Sequence, residues 1–354
     1  MMNYVNKEAG ASGPQSSAKA GHKIINLALQ GGGTHGAFTW GVLDRLLEDE
    51  RIGFDGVTAS SAGAVNAVLL VSGLATGGRE GARNLLRTFW QRLSQIAVGG
   101  VFQPSLIDQL DPTHGLEHSP GYLIIQALTY YASPYQVNPF NLNPVKTLVE
   151  EMVDFDAIRR QRAVKLFLCA TNVRTAKVKV FSGDEITVES VLASTCLPLL
   201  MQAVEIGGEC YWDGGYAGNP AVFPLVYECE TPDIVLVHTT PAERSDVPKS
   251  SLAIMNRMQE ISFNTALIRE MRAVAFLNRR IEEGSLRRGR RLLVHVIEGE
   301  DLLRDFTASS RLNCDWPFLL ELFASGRQRA EQWLSANFGR IGVETTVDLD
   351  EKYF

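Results

Sequence analysis

The chain has 354 residues, 45% of them hydrophobic, and a net charge of −6. That length buries a large core as one α/β domain, with or without additions, and the acidic balance excludes a general nucleic-acid binder, which would be strongly basic. Cys169, Cys196, Cys210, Cys229 and Cys314 are scattered without CxxC spacing, a pattern of free thiols in a reducing compartment, not of disulfides or zinc.

In chain order, residues 1–22 are polar and rich in Gly, Ser and Ala, and are predicted to be a disordered tail with no secretory signal. Lys23 to Gln30 is an apolar β-type run that breaks into Gly31-Gly32-Gly33-Thr34-His35-Gly36. A helix is predicted over 36–49, with Phe38, Val42, Leu43, Leu46 and Leu47 on one face. Glycines between strand and helix leave several N–H groups free to converge at a helix N-terminus, an arrangement that suits a phosphate or an oxyanion. The loop lacks the Gly-Lys-Ser/Thr ending of a nucleotide P-loop, and no acidic residue closes the next strand as a dinucleotide site requires.

The next strand, 54–59, runs into Ala59-Ser60-Ser61-Ala62-Gly63 and then a small-residue helix over 62–75. Strand, tight turn and helix are the setting of a nucleophile elbow, which holds a serine in a strained conformation with its hydroxyl presented. A further helix is predicted over 79–97. From about 98 to 143 comes an apolar, aromatic insertion broken by prolines and glycines, with a short helix near 120–132. Two readings fit it: a satellite core under a long loop, or a cap whose wall, including Leu123, Ile124, Tyr130 and Tyr131, holds an acyl chain.

Strands are expected at 164–171 and 176–181, and helices at 142–153 and 186–194. A hairpin over 203–212 turns at Gly207-Gly208 and delivers Asp213 to a strand end, ahead of Gly214 and Gly215. Beyond it lie strands at 233–239 and 291–297 and helices at 251–284 and 317–337. Alternation of this kind predicts a mostly parallel sheet with helices on both faces.

The glycine loop, the elbow serine and the Asp-Gly-Gly turn together resemble the patatin-like phospholipase family, over about residues 27 to 226. Ala193-Ser194-Thr195-Cys196-Leu197-Pro198 and Asn219-Pro220 are similar to two further family segments. The resemblance implies the three-layer α/β patatin-like fold. It gives a catalytic domain over 23–240 carrying the insertion; residues 241–354, outside the resemblance, are expected to be a mainly helical extension packed on the same domain. It further implies a Ser61–Asp213 dyad, an oxyanion hole from Gly31, Gly32, Gly33, Thr34 and Gly36, and hydrolysis of lipid carboxylic esters without cofactor or metal. Ala59 stands where the family has glycine, and His35 where it often has a cation.

Two other readings compete. A Ser-His-Asp hydrolase would use a late histidine, His295, although it lies inside an apolar run; a lipid-binding module would have kept the fold and lost activity. His114 and His118 are four apart, but Gly115, Pro112 and Pro120 argue against a helical metal pair. Eight arginines, Arg269, Arg272, Arg279, Arg280, Arg287, Arg288, Arg290 and Arg291, read as the solvated face of a core-packed helix or as a membrane-surface contact. No run reaches the roughly 18 apolar residues of a membrane span. A lipid or ester substrate, a cytoplasmic location with peripheral membrane contact, and no nucleic-acid partner are the expectations.

Overall fold

The computed structural model describes residues 21–354 apart from 99, 101, 245–246 and 286–288, so most of the expected N-terminal tail lies outside the described residues. The central sheet has eight strands: β1 (Lys23–Leu29), β2 (Ile52–Ala59), β3 (Lys165–Asn172), β4 (Val178–Ser182), β5 (Val204–Ile206), β6 (Glu209–Asp213), β7 (Asp233–His238) and β8 (Leu293–Glu298). Their order is β5-β6-β3-β2-β1-β7-β8, with β4 also paired to β3. The five strands β3, β2, β1, β7 and β8 are parallel neighbours, and β4, β5 and β6 add antiparallel pairs at one side.

Thirteen α-helical segments are described. The larger first group is α1 (Gly36–Glu48) and α2 (Ala62–Ala97); the insertion carries α3 (Leu106–Leu110), α4 (Pro120–Tyr131) and α5 (Pro134–Val137). Next come α6 (Pro144–Met152), α7 (Phe155–Arg160), α8 (Val188–Ser194) and α9 (Phe223–Glu228). The C-terminal part holds α10 (Ser251–Glu282), α11 (Glu300–Leu303), α12 (Trp316–Asn337) and α13 (Leu349–Tyr353). The two helices expected over 62–75 and 79–97 run together as α2, with Gly78 at φ 63° marking a kink between them. The expected hairpin is present, and Gly207 and Gly208 turn it with φ of 62° and 81°, the left-handed pair that matches strand twist.

Period-two alternation decides which layer each strand residue joins. Ile25, Leu27 and Leu29 of β1 and Val235 and Val237 of β7 face α1, α2 and α12. Ala28, Ile234 and Leu236 point the other way, toward α9, α10 and α13. The sheet is thus covered on both faces, as near-continuous apolar strands require. The C-terminal part is woven into this body: β8 extends the sheet beside β7, and α12 packs along α1. That helix pair meets at glycines. A Cβ on Gly326 would stand 2.1 Å from the Phe38 carbonyl oxygen, and one on Gly41 would stand 2.0 Å from that of Phe323.

Candidate active site

Register brings the two central side chains together. Ala59 of β2 pairs with Leu168 of β3, and two residues further along β3 Ala170 pairs with Asp213 of β6. Ser61, two residues past Ala59, therefore emerges at the same strand ends as Asp213. Ser61 sits at the N-terminus of α2 with φ 55° and ψ −129°, a backbone conformation that a non-glycine residue adopts only under constraint. The constraint is visible. Its N–H donates to both the carbonyl and the hydroxyl oxygen of Ser194 at 3.1 Å, and Gly63 tucks α2 so close that a Cβ there would lie 2.3 Å from the Leu29 carbonyl.

Asp213 is fully buried. Its Oδ1 accepts the Gly215 N–H at 2.8 Å, and its Oδ2 has no hydrogen-bond partner among the described residues. Burial pushes its carboxyl up to about 7, against the opposing pull of the Ser61 hydroxyl and the Gly215 amide. A buried carboxylate with one unpartnered oxygen, near enough to Ser61 for its hydroxyl to act on it, is placed to accept a proton. Ser60, buried beside it, donates its hydroxyl to the Gly218 carbonyl.

The glycine loop closes the site from the β1 side. A Cβ on Gly31 would come within 2.5 Å of Ser61 Cβ, so only glycine permits this approach. The Gly31 N–H donates to Asn219 Oδ1 at 2.8 Å, and the Gly36 N–H turns back on the Gly33 and Thr34 carbonyls. Those two groups of the expected oxyanion hole are thus already engaged, because the loop needs them to hold its own shape. Gly32, Gly33 and Thr34 keep N–H groups without an intramolecular partner among the described residues, at the N-terminal end of α1 where the helix dipole adds positive potential.

The loop is held from the C-terminal part of the chain. The Thr34 hydroxyl donates to the Ser310 carbonyl at 2.8 Å, and His35 Nε2 bonds the Ser310 hydroxyl at 2.8 Å. Gly33, at φ 62°, lies against the Arg311 backbone. On the other side Gln30, fully buried, accepts the N–H groups of Thr239 and Thr240 at 2.8 Å and donates to Asn264. His35 packs edge-on against Phe306 and Phe318. Burial, then the charges of Arg311 and Arg244, hold it well below its usual range, so it is neutral. A cationic cluster stands behind it: Arg244, Arg257 and Arg311 all bind the carboxylate of Glu260 at 2.7 to 3.0 Å.

Other expected groups fall elsewhere. His295 is buried inside β8, bonded to Asp233 and Thr346 at 3.0 Å each, and takes no part in the site. Leu123, Ile124, Tyr130 and Tyr131 lie on the outer surface of α4, 47 to 86% exposed, so they face solvent instead of walling a closed acyl pocket. Most arginines of the cluster after 269 are occupied. Arg272 donates to the Tyr353 carbonyl, Arg279 pairs with Asp350, Arg280 with Glu283 and Arg291 with Glu282, and Arg290 binds backbone carbonyls. Arg287 and Arg288 lie outside the described residues.

Donor atoms of His238, Glu298 and Glu300 lie within 4.8 Å of one another. However, the Lys352 ammonium already pairs with Glu298, and Glu300 accepts the N–H groups of Ala242 and Glu243. Sequence reasoning missed Asn219 and Ser194 as working residues. Both stand in the segments that carried the family resemblance, and only the folded register reveals that each grips a backbone N–H of the site. All five cysteines are free, and among the described residues no helix is long and apolar enough to cross a membrane.

An elbow serine, a buried aspartate and a glycine loop thus meet at the strand ends of a mixed, mostly parallel sheet covered by helices. The chain belongs to the patatin-like phospholipase family, a family of lipid acyl hydrolases, whose model matches residues 27–226. No curated protein matches it. Among solved structures it is similar to the crystal structure of VipD from Legionella pneumophila, with 14% identity, 86% of this chain and 67% of that chain covered, and a TM-score of 0.38.

Proposed function

We propose that the protein cleaves carboxylic esters of lipids through an acyl-enzyme, with Ser61 as nucleophile and Asp213 as general base. The observation that carries this reading is the strained Ser61 backbone beside a fully buried Asp213 whose Oδ2 is unpartnered. Ser61 Oγ attacks the ester carbonyl while Asp213 takes its proton, and the free N–H groups of Gly32, Gly33 and Thr34 hold the oxyanion. Collapse expels the alcohol, which leaves with the proton from Asp213. Water then attacks the acyl-serine with the same aspartate as base. A free aspartate is a weak base, with a pKa of about 3.9; a carboxyl raised to about 7 is matched to work at neutral pH.

Ser61→Ala tests it. The variant is expected to lose hydrolysis of short-chain p-nitrophenyl esters and labelling by a fluorophosphonate while remaining folded. Activity within a few-fold of wild type would remove Ser61 from the mechanism, and labelling of some other serine would relocate the site. The triad reading finds no support in His295, which is committed to Asp233 and Thr346.

A further inference from the structure

In α3 the usual order of burial is inverted. Asp108 is buried, while Leu106, Ile107 and Leu110 are exposed by 80, 62 and 86%. The inversion is built, not incidental. Asp108 accepts hydrogen bonds from the Ser105 amide and hydroxyl, the Ser119 hydroxyl and the His118 amide at 2.6 to 3.0 Å. Burial would raise its carboxyl, but these donors hold it at about 2, so it stays charged and anchored. The fold therefore keeps a buried carboxylate in place while three large aliphatic side chains stand in water.

Further along the same insertion Ile124 and Tyr131 of α4 and then Phe140, 85% exposed, also stand in solvent. Residues 119–143 contain no Asp, Glu, Lys, Arg or His at all. Exposed tyrosines border the aliphatic residues, the pairing of apolar body and polar tip found at the headgroup level of lipid layers. This surface is also tied to the serine. The Tyr135 hydroxyl accepts the Ala203 N–H at 3.2 Å, and Gln202 donates to the Asn138 carbonyl at 2.8 Å. Residues 202 and 203 follow the turn that leaves α8, whose Ser194 grips Ser61.

We infer that this insertion is the face by which the protein docks on an electrically neutral lipid surface, with Leu106, Ile107 and Leu110 entering the apolar layer. The inference rests on the proposed hydrolase reading and adds its physical setting: substrate is taken from a lipid layer, not from solution. Residues 119–143 are uncharged and the charged neighbours of α3, Asp111 and Glu117, are acidic, so this face has nothing to gain from anionic headgroups, and the arginines of α10, mostly paired, are not the contact. A membrane-binding polybasic face would behave in the opposite way, requiring anionic lipid and weakening in salt.

The test is co-sedimentation with phosphatidylcholine vesicles, carried out on the Ser61→Ala protein so that binding is read without turnover. Binding is expected, unchanged by added phosphatidylglycerol or by salt. Combining Leu106→Ser with Leu110→Ser should weaken it by about a hundredfold if both side chains are buried in lipid. A separate Phe140→Ser protein should weaken it by about tenfold. In the Ser61-containing background both variants should keep hydrolysis of a soluble p-nitrophenyl ester within about twofold while losing hydrolysis of vesicle phospholipid. Loss of soluble-ester hydrolysis in Ser61→Ala speaks to the chemistry alone, so the two ideas fail separately. Docking is overturned if wild-type binding needs anionic lipid, if the double variant binds vesicles as wild type does, or if light scattering shows a dimer that the double variant splits.

Discussion

Asp213 concentrates the energetics of the site in one side chain. Its folded carboxyl is raised to about 7 against an unfolded value of about 3.9, so the native state binds the extra proton between those values. The stability this proton brings is fully present below the unfolded value and is lost as pH rises through about 7. At pH 8 Asp213→Asn should therefore be more stable than wild type, on the order of a few kcal/mol, seen as a higher melting temperature by calorimetry. A variant that melts lower at pH 8 would show that the carboxylate is stabilised, not strained. The wild-type kcat/KM should fall tenfold per pH unit below about 7, because only the carboxylate accepts a proton.

Asn219 braces the glycine loop. Its Oδ1 holds the Gly31 N–H, so Asn219→Ala leaves a buried donor unpaired, a cost of about 1–3 kcal/mol, and releases the loop beside Ser61. Activity on a soluble ester should drop by tenfold or more with substrate affinity less affected, and unchanged kcat would contradict this role. Ser61, Asp213 and the glycine loop were legible in the sequence because each carries its own local signal: a turn, a strand end, a run of glycines. Asn219 and Ser194 carry none, since their partners lie 188 and 133 residues away. The engagement of the Gly31 and Gly36 N–H groups was equally invisible, because it depends on how the loop closes.

Among the elements, period and punctuation were readable while exposure was not. The strands and long helices stand where apolar alternation and helical spacing predicted them, and Gly78 marks the division inside α2. From composition the apolar insertion reads as a satellite core or as a cap with an apolar wall; its helices turn Leu106, Ile107, Leu110 and the outer face of α4 to solvent. Only the Asp108 network, formed across the loop, reveals why. The α1–α12 contact likewise depends on distant glycines. Gly326→Ala would drive a methyl into the Phe38 carbonyl, and backbone cannot yield as a side chain can. It should destabilise the protein by about 1–3 kcal/mol, measured by denaturant unfolding, and a change within a few tenths would mean the helices part freely.

For the whole molecule, residues after 240 are structural members of the catalytic body. β8 covers the edge of β7, α10 closes the second apolar layer, and residues 310 and 311 brace the glycine loop. A protein ending at residue 240 is expected to lack cooperative thermal unfolding, because β7 would lose its outer neighbour and its cover at once. A folded, active fragment would show that the extension is dispensable. The family resemblance stops near residue 226, so the packing of residues after 240 was expected only from their helical pattern, and the particular contacts with the glycine loop were not.

The proposed base is a carboxylate and not an imidazole, and the most direct measurement is the turnover of Asp213→Asn on a soluble ester beside His35→Gln, His238→Gln and His295→Gln. The amide keeps the size of Asp213 and cannot take the serine proton, so its rate should fall by about 10² to 10⁴ or more with circular dichroism unchanged. Each histidine variant that folds should stay within about tenfold of wild type. An Asp213→Asn enzyme that keeps most of its activity, beside a folded histidine variant that has none, would contradict the dyad.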